Sequence, residues 1–279
     1  MKTILIPTDL SLNASNALTY AIELFRNSEV KFHILHVSHP IIEMPGSSIE
    51  YVEPTIFQDI KTEKKLVKNQ LENVLKDLNI NKDDIHFEIE NEIGFASDVI
   101  ISKATELNCD LIIMGTQGAT GLSQFFIGSV TANVIRKSTV SVIAIPENFK
   151  FEKLQKIVFA TDYEGISNKK ILQPLFELAR KFDAKVLMFH AIEAKEPIAA
   201  YIEELQVWKA EKNFHQVRHT NSIATCENIP DGILEFAGEN EANLIAIIPH
   251  TYGFFENLLH NSVSKQIAFE SKTPILALH

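Results

Sequence analysis

Short apolar runs alternate along this chain with longer amphipathic stretches. Lys2–Thr8 (KTILIPT), Val30–Val37 (VKFHILHV), Asp110–Gly115 (DLIIMG) and Val140–Ile145 (VSVIAI) are nearly continuous in apolar residues, the pattern of strands covered on both faces of a parallel sheet. The first half is expected to hold strands near 2–8, 30–37, 84–91, 110–115 and 140–145, with helices near 13–26, 56–79, 96–107 and 128–138. In the second of those helices Ile56, Ile60, Val67, Leu71, Val74, Leu75 and Leu78 fall on one face, while Lys61, Glu63, Lys64, Lys68 and Lys76 are expected in water. Strands that alternate with helices imply βαβ units with right-handed crossovers, and five of them favour a doubly wound parallel sheet. If strand order reverses between the first and fourth strands, the ligand crevice lies between Asp9 and Gly115.

The same order of runs occurs twice. Lys2–Thr8 followed by Asp9 matches Gln155–Thr161 followed by Asp162, and Val30–Val37 matches Ala184–Ala191 with His36 and His190 in register. Asp110–Met114 answers to Asn243–Ile248, and Gly128 through Ile145 to Asn261 through Leu278. Such self-similarity means that one structural unit is repeated. The expected units are residues 1–148 and 149–279, joined near Pro146–Lys153, each a five-stranded α/β domain. Their final strands, Val140–Ile145 and Pro274–Leu278, are apolar edges that would recruit a partner. The two copies are therefore expected to pack about a pseudo-twofold axis as an intramolecular pseudo-dimer, with a further homodimer left open.

Between the fourth strand and the following helix stands Met114–Val130, MGTQGATGLSQFFIGSV, with Gly115, Gly118, Gly128 and Ser129 in a Gly-x2-Gly-x9-Gly-Ser spacing. Glycines let backbone approach a ligand closely, and the first-turn N–H groups of a helix are ready donors to an anion. Neither the Gly-x4-Gly-Lys-Ser/Thr loop nor the Gly-x-Gly-x2-Gly fingerprint occurs, so those two phosphate motifs are excluded.

With these positions in hand, the sequence resembles the universal stress protein family as two tandem copies covering the whole chain, with the adenine nucleotide alpha hydrolase-like fold. The resemblance implies that Pro7, Asp9, Val37 and Met114 line the adenosine end of an ATP site, that Thr8 is also among its binding residues, and that Gly115, Gly118, Gly128, Ser129 and Val130 hold the phosphates. A divalent cation, Mg or Mn, is implied with the ATP. Two departures matter. Thr116–Ile127 contains no Lys, Arg or His, which leaves neutralisation to backbone N–H groups and the cation. In the second copy Ile248-Pro249-His250-Thr251-Tyr252-Gly253 replaces the glycine pair and Asn261 replaces Gly128; Pro249 removes a donor, so that copy is expected not to bind ATP. Asp162 is expected there as a helix cap or loop acid.

Composition removes several other classes. The formal charge of −10 is shared by both halves, 12 basic against 19 acidic residues in 1–149 and 14 against 17 in 150–279, so neither offers the basic face that nucleic acid or an anionic membrane requires. No apolar run reaches the roughly 18 residues of a membrane span, and the opening MKTILIPTDLS meets Pro7 and Asp9 too early for a signal-peptide core; a soluble, cytoplasmic protein is expected. Cys109 and Cys226 are read as inert thiols. His33, His36 and His39, and the pair His215 and His219, do not make a metal site, because strand alternation separates His33 from His36 and the second pair lacks a third ligand. No catalytic residue is assigned. The expected function is a nucleotide-dependent stress-response module acting on an unknown protein partner or on its own second half; a weak ATPase using the same pocket and a nucleotide-independent interaction protein are the alternatives.

Overall fold

A computed structural model describes residues 1–38, 52–116, 128–161, 169–193, 214–249 and 273–279. The first half forms β1 (Lys2–Thr8), α1 (Leu12–Leu24), β2 (Val30–Ser38), α2 (Val52–Asp77), β3 (His86–Ile93), α3 (Ala96–Glu106), β4 (Leu111–Gly115), α4 (Ser129–Lys137) and β5 (Val142–Ile145). The second forms β6 (Lys156–Ala160), α5 (Gln173–Phe182), β7 (Lys185–Glu193), β8 (His219–Cys226), α6 (Ile229–Glu239), β9 (Leu244–Ile247) and β10 (Ile275–Ala277). All ten strands share one sheet in the order β3-β2-β1-β4-β5-β10-β9-β6-β7-β8. Each half is thus a doubly wound α/β unit, its order reversing between β1 and β4 or between β6 and β9.

Local chemistry explains where elements begin. Asp110 receives Thr3 N–H on its carboxylate at 2.8 Å, while its own N–H donates to Thr3 O. Asn243 does the same for the second half, its Oδ1 accepting from Gln155 and Lys156 N–H and its N–H reaching Lys156 O. A short polar side chain at the foot of the fourth strand thereby fixes the register with the first. β3 starts two residues later than expected because Asn81 caps a 3-10 turn at Lys82–Asp84, its side chain accepting from Asp83 N–H. α2 begins at Val52, four residues before the expected start near 56; residues 39–51 lie outside the described residues.

Helices cover both faces of the sheet. On one face α1, α2 and α5 bury Leu18, Ile22, Val67, Leu71 and Leu175; on the other α3, α4 and α6 bury Ile100, Val134, Ile135 and Ile233. Each such side chain contributes about 1.5–3 kcal/mol when fully buried. β5 and β10 pair antiparallel, Ile143 facing Leu276, with Ala144 opposite Ile275 and Val142 opposite Ala277. Ile143 and Leu276 are equivalent in the repeat, so the pairing has twofold symmetry and each closing strand covers the other's edge.

The connection at 146–153 is not a bare polar linker. Asn16 of α1 donates its amide to Pro146 O, Glu147 O and Phe149 O at 3.1, 3.3 and 2.8 Å, and Tyr20 packs on the rings of Phe149 and Phe151 at 5.9 and 5.2 Å. The link is clipped to the first half before the second begins.

Candidate functional site

At the carboxyl ends of β1 and β4, where strand order reverses, lies a cavity of about 460 Å³. Its walls include Pro7, Thr8 and Asp9 from the end of β1, Val37 from β2, and Met114 and Gly115 from β4. Gly128, Ser129 and Val130 close it from the start of α4. Nine of the ten positions singled out in the sequence therefore meet in one crevice; Gly118 lies outside the described residues.

Each wall has a local cause. After β1 the chain turns through Leu10 at φ 67, a left-handed conformation that costs a branched residue roughly 1–2 kcal/mol. Two short bonds hold it: Leu10 N–H donates to Thr8 Oγ1 at 3.1 Å and Ser11 N–H to Asp9 Oδ1 at 3.0 Å. Thr8 Oγ1 also donates to Gln70 of α2 at 2.8 Å. This turn fixes Asp9 at the crevice while Ser11 caps α1 by accepting from Ala14 N–H.

Gly115 is set by space, since a Cβ there would lie 2.8 Å from the side chain of buried Asn13. Its carbonyl accepts the hydroxyl of Thr131 at 2.8 Å, tying β4 to the first turn of α4. Gly128 caps α4 with no side-chain acceptor. The first-turn N–H groups, which have no partner within the helix, open on the cavity. The φ of Gly128 is −59, which any residue adopts, so backbone strain does not require glycine there.

Sequence reasoning missed the far rim. Glu63, expected to be solvated, is half-buried and bound by Ser38 and Asn91: the hydroxyl of Ser38 donates to its carboxylate, and the Asn91 amide donates at 2.8 Å. Beside it His36 turns Nδ1 toward Thr8 O at 2.8 Å and Nε2 toward Glu63 at 3.9 Å. Both line the cavity. Four elements distant in sequence make this network, so no local pattern reveals it. In the second half His190 Nδ1 meets Thr161 O at 2.8 Å, the same strand-to-strand bond, while Asp162 and Asn261 lie outside the described residues.

The remaining histidines separate. His33 sits on the opposite face of β2, 3.4 Å from Glu88, His39 lies outside the described residues, and His215 belongs to a 3-10 turn (Phe214–Gln216) before His219 opens β8.

The site geometry can be set beside known proteins. A sequence profile of the Universal stress protein family matches residues 1–146 and again 153–279. The chain belongs to the universal stress protein family. A universal stress protein of Methanocaldococcus jannaschii, MJ0577, is 32% identical over 161 residues, spanning 52% of this chain and 94% of that protein. The match therefore takes in about half of a chain that holds the family unit twice. The crystal structure of a universal stress protein from Archaeoglobus fulgidus superposes with a TM-score of 0.69 at 20% identity, covering 99% of this chain and 95% of that one. The crystal structure of a Pseudomonas aeruginosa protein gives 0.60 at 14% identity over 100% of this chain and 93% of its own; both likenesses speak for the fold. No helix among the described residues is long and apolar enough to cross a membrane.

Proposed function

We propose that the first copy binds one adenine nucleotide, ATP with a divalent cation, and that the chain works as a nucleotide-dependent stress-response module in the cytoplasm. The observation that carries this reading is the crevice itself: the uncapped start of α4, the bare backbone at Gly115 and Gly128, and the carboxylate of Asp9 line one cavity. Backbone donors at one end suit phosphate, and a carboxylate at the other suits the hydroxyl and amino donors of a nucleoside. Glu63, fixed by Ser38 and Asn91, adds a second acceptor on that side. The cation supplies positive charge to a loop whose residues 116–127 contain none.

The second copy keeps the fold without the cradle, because Ile248 stands where Gly115 does and Pro249 has no N–H to give. It serves as the structural partner of the first copy and a surface for readout. Donors aimed at phosphate bind the tail without placing a water for attack, so the reading is of a binding module. Denaturing the purified protein and identifying the released small molecules by mass spectrometry, followed by ATP titration, tests this. One ATP per chain with turnover well below about 1 per second supports the proposal; two equivalent sites, no adenine nucleotide, or turnover in that ordinary enzyme range overturns it.

A further inference from the structure

A larger cavity, about 690 Å³, lies at the opposite end of the sheet and has walls from both copies. One wall is the amino ends of the first half's strands: Ile4 of β1, Leu111 of β4, and Val140 just before β5. The other is α5, which lays Leu178, Glu177 and Lys181 along the cleft. Sequence equivalence cannot reveal it, because α5 meets the feet of the other copy's strands only once the closing strands have paired.

The polar groups of this cleft are unequally satisfied. Lys2 pairs with Glu177, whose other oxygen accepts the Gln173 amide at 2.9 Å. Asp110 is held by Thr3 N–H, and Glu29 stands in an exposed turn. Lys181 differs. It donates to the Ser28 hydroxyl and lies 4.9 Å from the Phe25 ring centre and 5.5 Å from that of Phe182, and among the described residues no carboxylate reaches it. Partial desolvation and the like charge of Lys2 hold its pKa below the ordinary lysine range, while its side chain still opens to solvent at the mouth of the cleft. A solvent-facing cation flanked by rings and a second cation is placed to receive an anion entering from solution.

We propose that this cleft is a second ligand site, distinct from the nucleotide crevice, for an organic anion with an apolar body such as a medium-chain carboxylate. The apolar body rests on Val140 and on the exposed edges of Leu111 and Leu178, and the anionic head meets Lys181 with Lys2 behind it. The size and mixed lining are those of small-molecule sites, which concentrate where two domains meet. A ligand there touches both copies, so its occupancy stabilises their association.

The test uses the full chain, with sodium octanoate and 1-octanol as probes, by calorimetric titration and thermal melting. One octanoate per chain, bound at least tenfold more tightly than octanol and raising the melting temperature, is the expected result. Lys181→Met should weaken octanoate at least tenfold. Thr139→Trp, at an exposed position on the rim, should block it by filling the cleft, and circular dichroism checks that both variants fold. The proposal is overturned if octanoate does not bind, if octanol binds equally well, if Lys181→Met leaves the affinity unchanged, or if ATP displaces octanoate stoichiometrically, which would place octanoate in the nucleotide crevice.

Discussion

The two copies solve the same packing problem with different side chains, and the differences concentrate on one face. Beneath α3 in the first copy, Lys103 is buried and meets Glu90, Glu92 and Glu106 at 3.1, 3.0 and 3.2 Å. Burial opposes its charge, but hydrogen bonds to the three carboxylates outweigh that and hold its pKa above the ordinary lysine value. In the second copy the equivalent residue is Phe236, stacked on Phe189 with ring centres 4.0 Å apart and planes 6° from parallel, and the β8 positions facing it are Ser222 and Ala224 in place of the glutamates. The backbone tolerates an ionic plug or an aromatic stack equally well. The crevice is less forgiving: Gly115 gives way to Ile248, and the space taken by a Cβ is the space in which the first copy seats Asn13. A repeat can thus exchange an ionic cluster for an aromatic stack beneath a helix, whereas at Gly115 the first copy has no room for the side chain that the second copy carries.

The largest effect is expected from making the first crevice resemble the second. Gly115→Val places atoms 2.8 Å from Asn13, an overpacking that costs about 1–3 kcal/mol in well-packed sites. It also pushes α4 away from the cavity through the Thr131 bond. ATP binding should fall at least a hundredfold by titration, and Gly128→Val, which sets a branched side chain at the cavity-lining start of α4, should remove it as well. Equal ATP affinity in wild type and Gly115→Val would show that the nucleotide does not use this crevice.

Next in size is removal of the partner. Truncation after Glu152 keeps the Asn16 clip and Phe149 but uncovers the β5 edge and leaves Val142, Ile143 and Ala144 without their β10 partners. Unpaired apolar edges associate. The fragment is expected to dimerise or aggregate in sedimentation experiments; a monomer as stable as the full chain would break the paired-copy reading.

These expectations mark what the sequence could reveal. Strands β1, β2, β4 and β5 were legible to within two residues because buried parallel strands write themselves as continuous apolar runs. Asp110 and Asn243 were visible as the first residues of matching runs, though their capping bonds were not. β3 was also found to within two residues, its start shifted from 84 to 86 by the cap at Asn81. Glu63, the Lys103 cluster and the inter-copy cleft were illegible for one physical reason: each joins elements that only the crossovers and the β5–β10 pairing bring together. Spacing of glycines reports a loop's chemistry, whereas a rim assembled from Ser38, Glu63 and Asn91 has no spacing to report.

The contrast beneath α3 and α6 can be tested directly. Lys103→Met should destabilise by about 1–2 kcal/mol, less than a fully buried pair, because its carboxylates are partly exposed. Phe236→Ala should cost about 2–3 kcal/mol through lost packing. Denaturant titrations in low and high salt separate them: the Lys103 loss should shrink as salt rises, and the Phe236 loss should not. Salt-independent losses at both positions would mean that Lys103 acts through its aliphatic stem alone.

The smallest effect is a pH dependence confined to the first copy. His33 of β2 is 6% exposed, its Nε2 is 3.4 Å from Glu88, and no partner among the described residues reaches its Nδ1. The equivalent residue in the second copy is Leu187. Burial lowers the His33 pKa; Glu88 and Glu90 pull it up, Lys31 and Lys103 push it down, and the balance lies below the ordinary histidine value. The unfolded chain therefore takes up this proton before the folded one does. The stability associated with a neutral His33 is fully present above the unfolded value of about 6.5 and is lost as pH falls through the lower folded value. His33→Leu, which copies the second half, should leave stability near pH 7.5 little changed and remove this part of the decline on acidification. Subtracting the two stability curves isolates the contribution of His33 from that of the carboxylates common to both proteins. A difference that stays flat from pH 7.5 to 5 would mean that Glu88 offsets the burial of His33, and that the two copies respond alike to acid at this position despite the change from histidine to leucine.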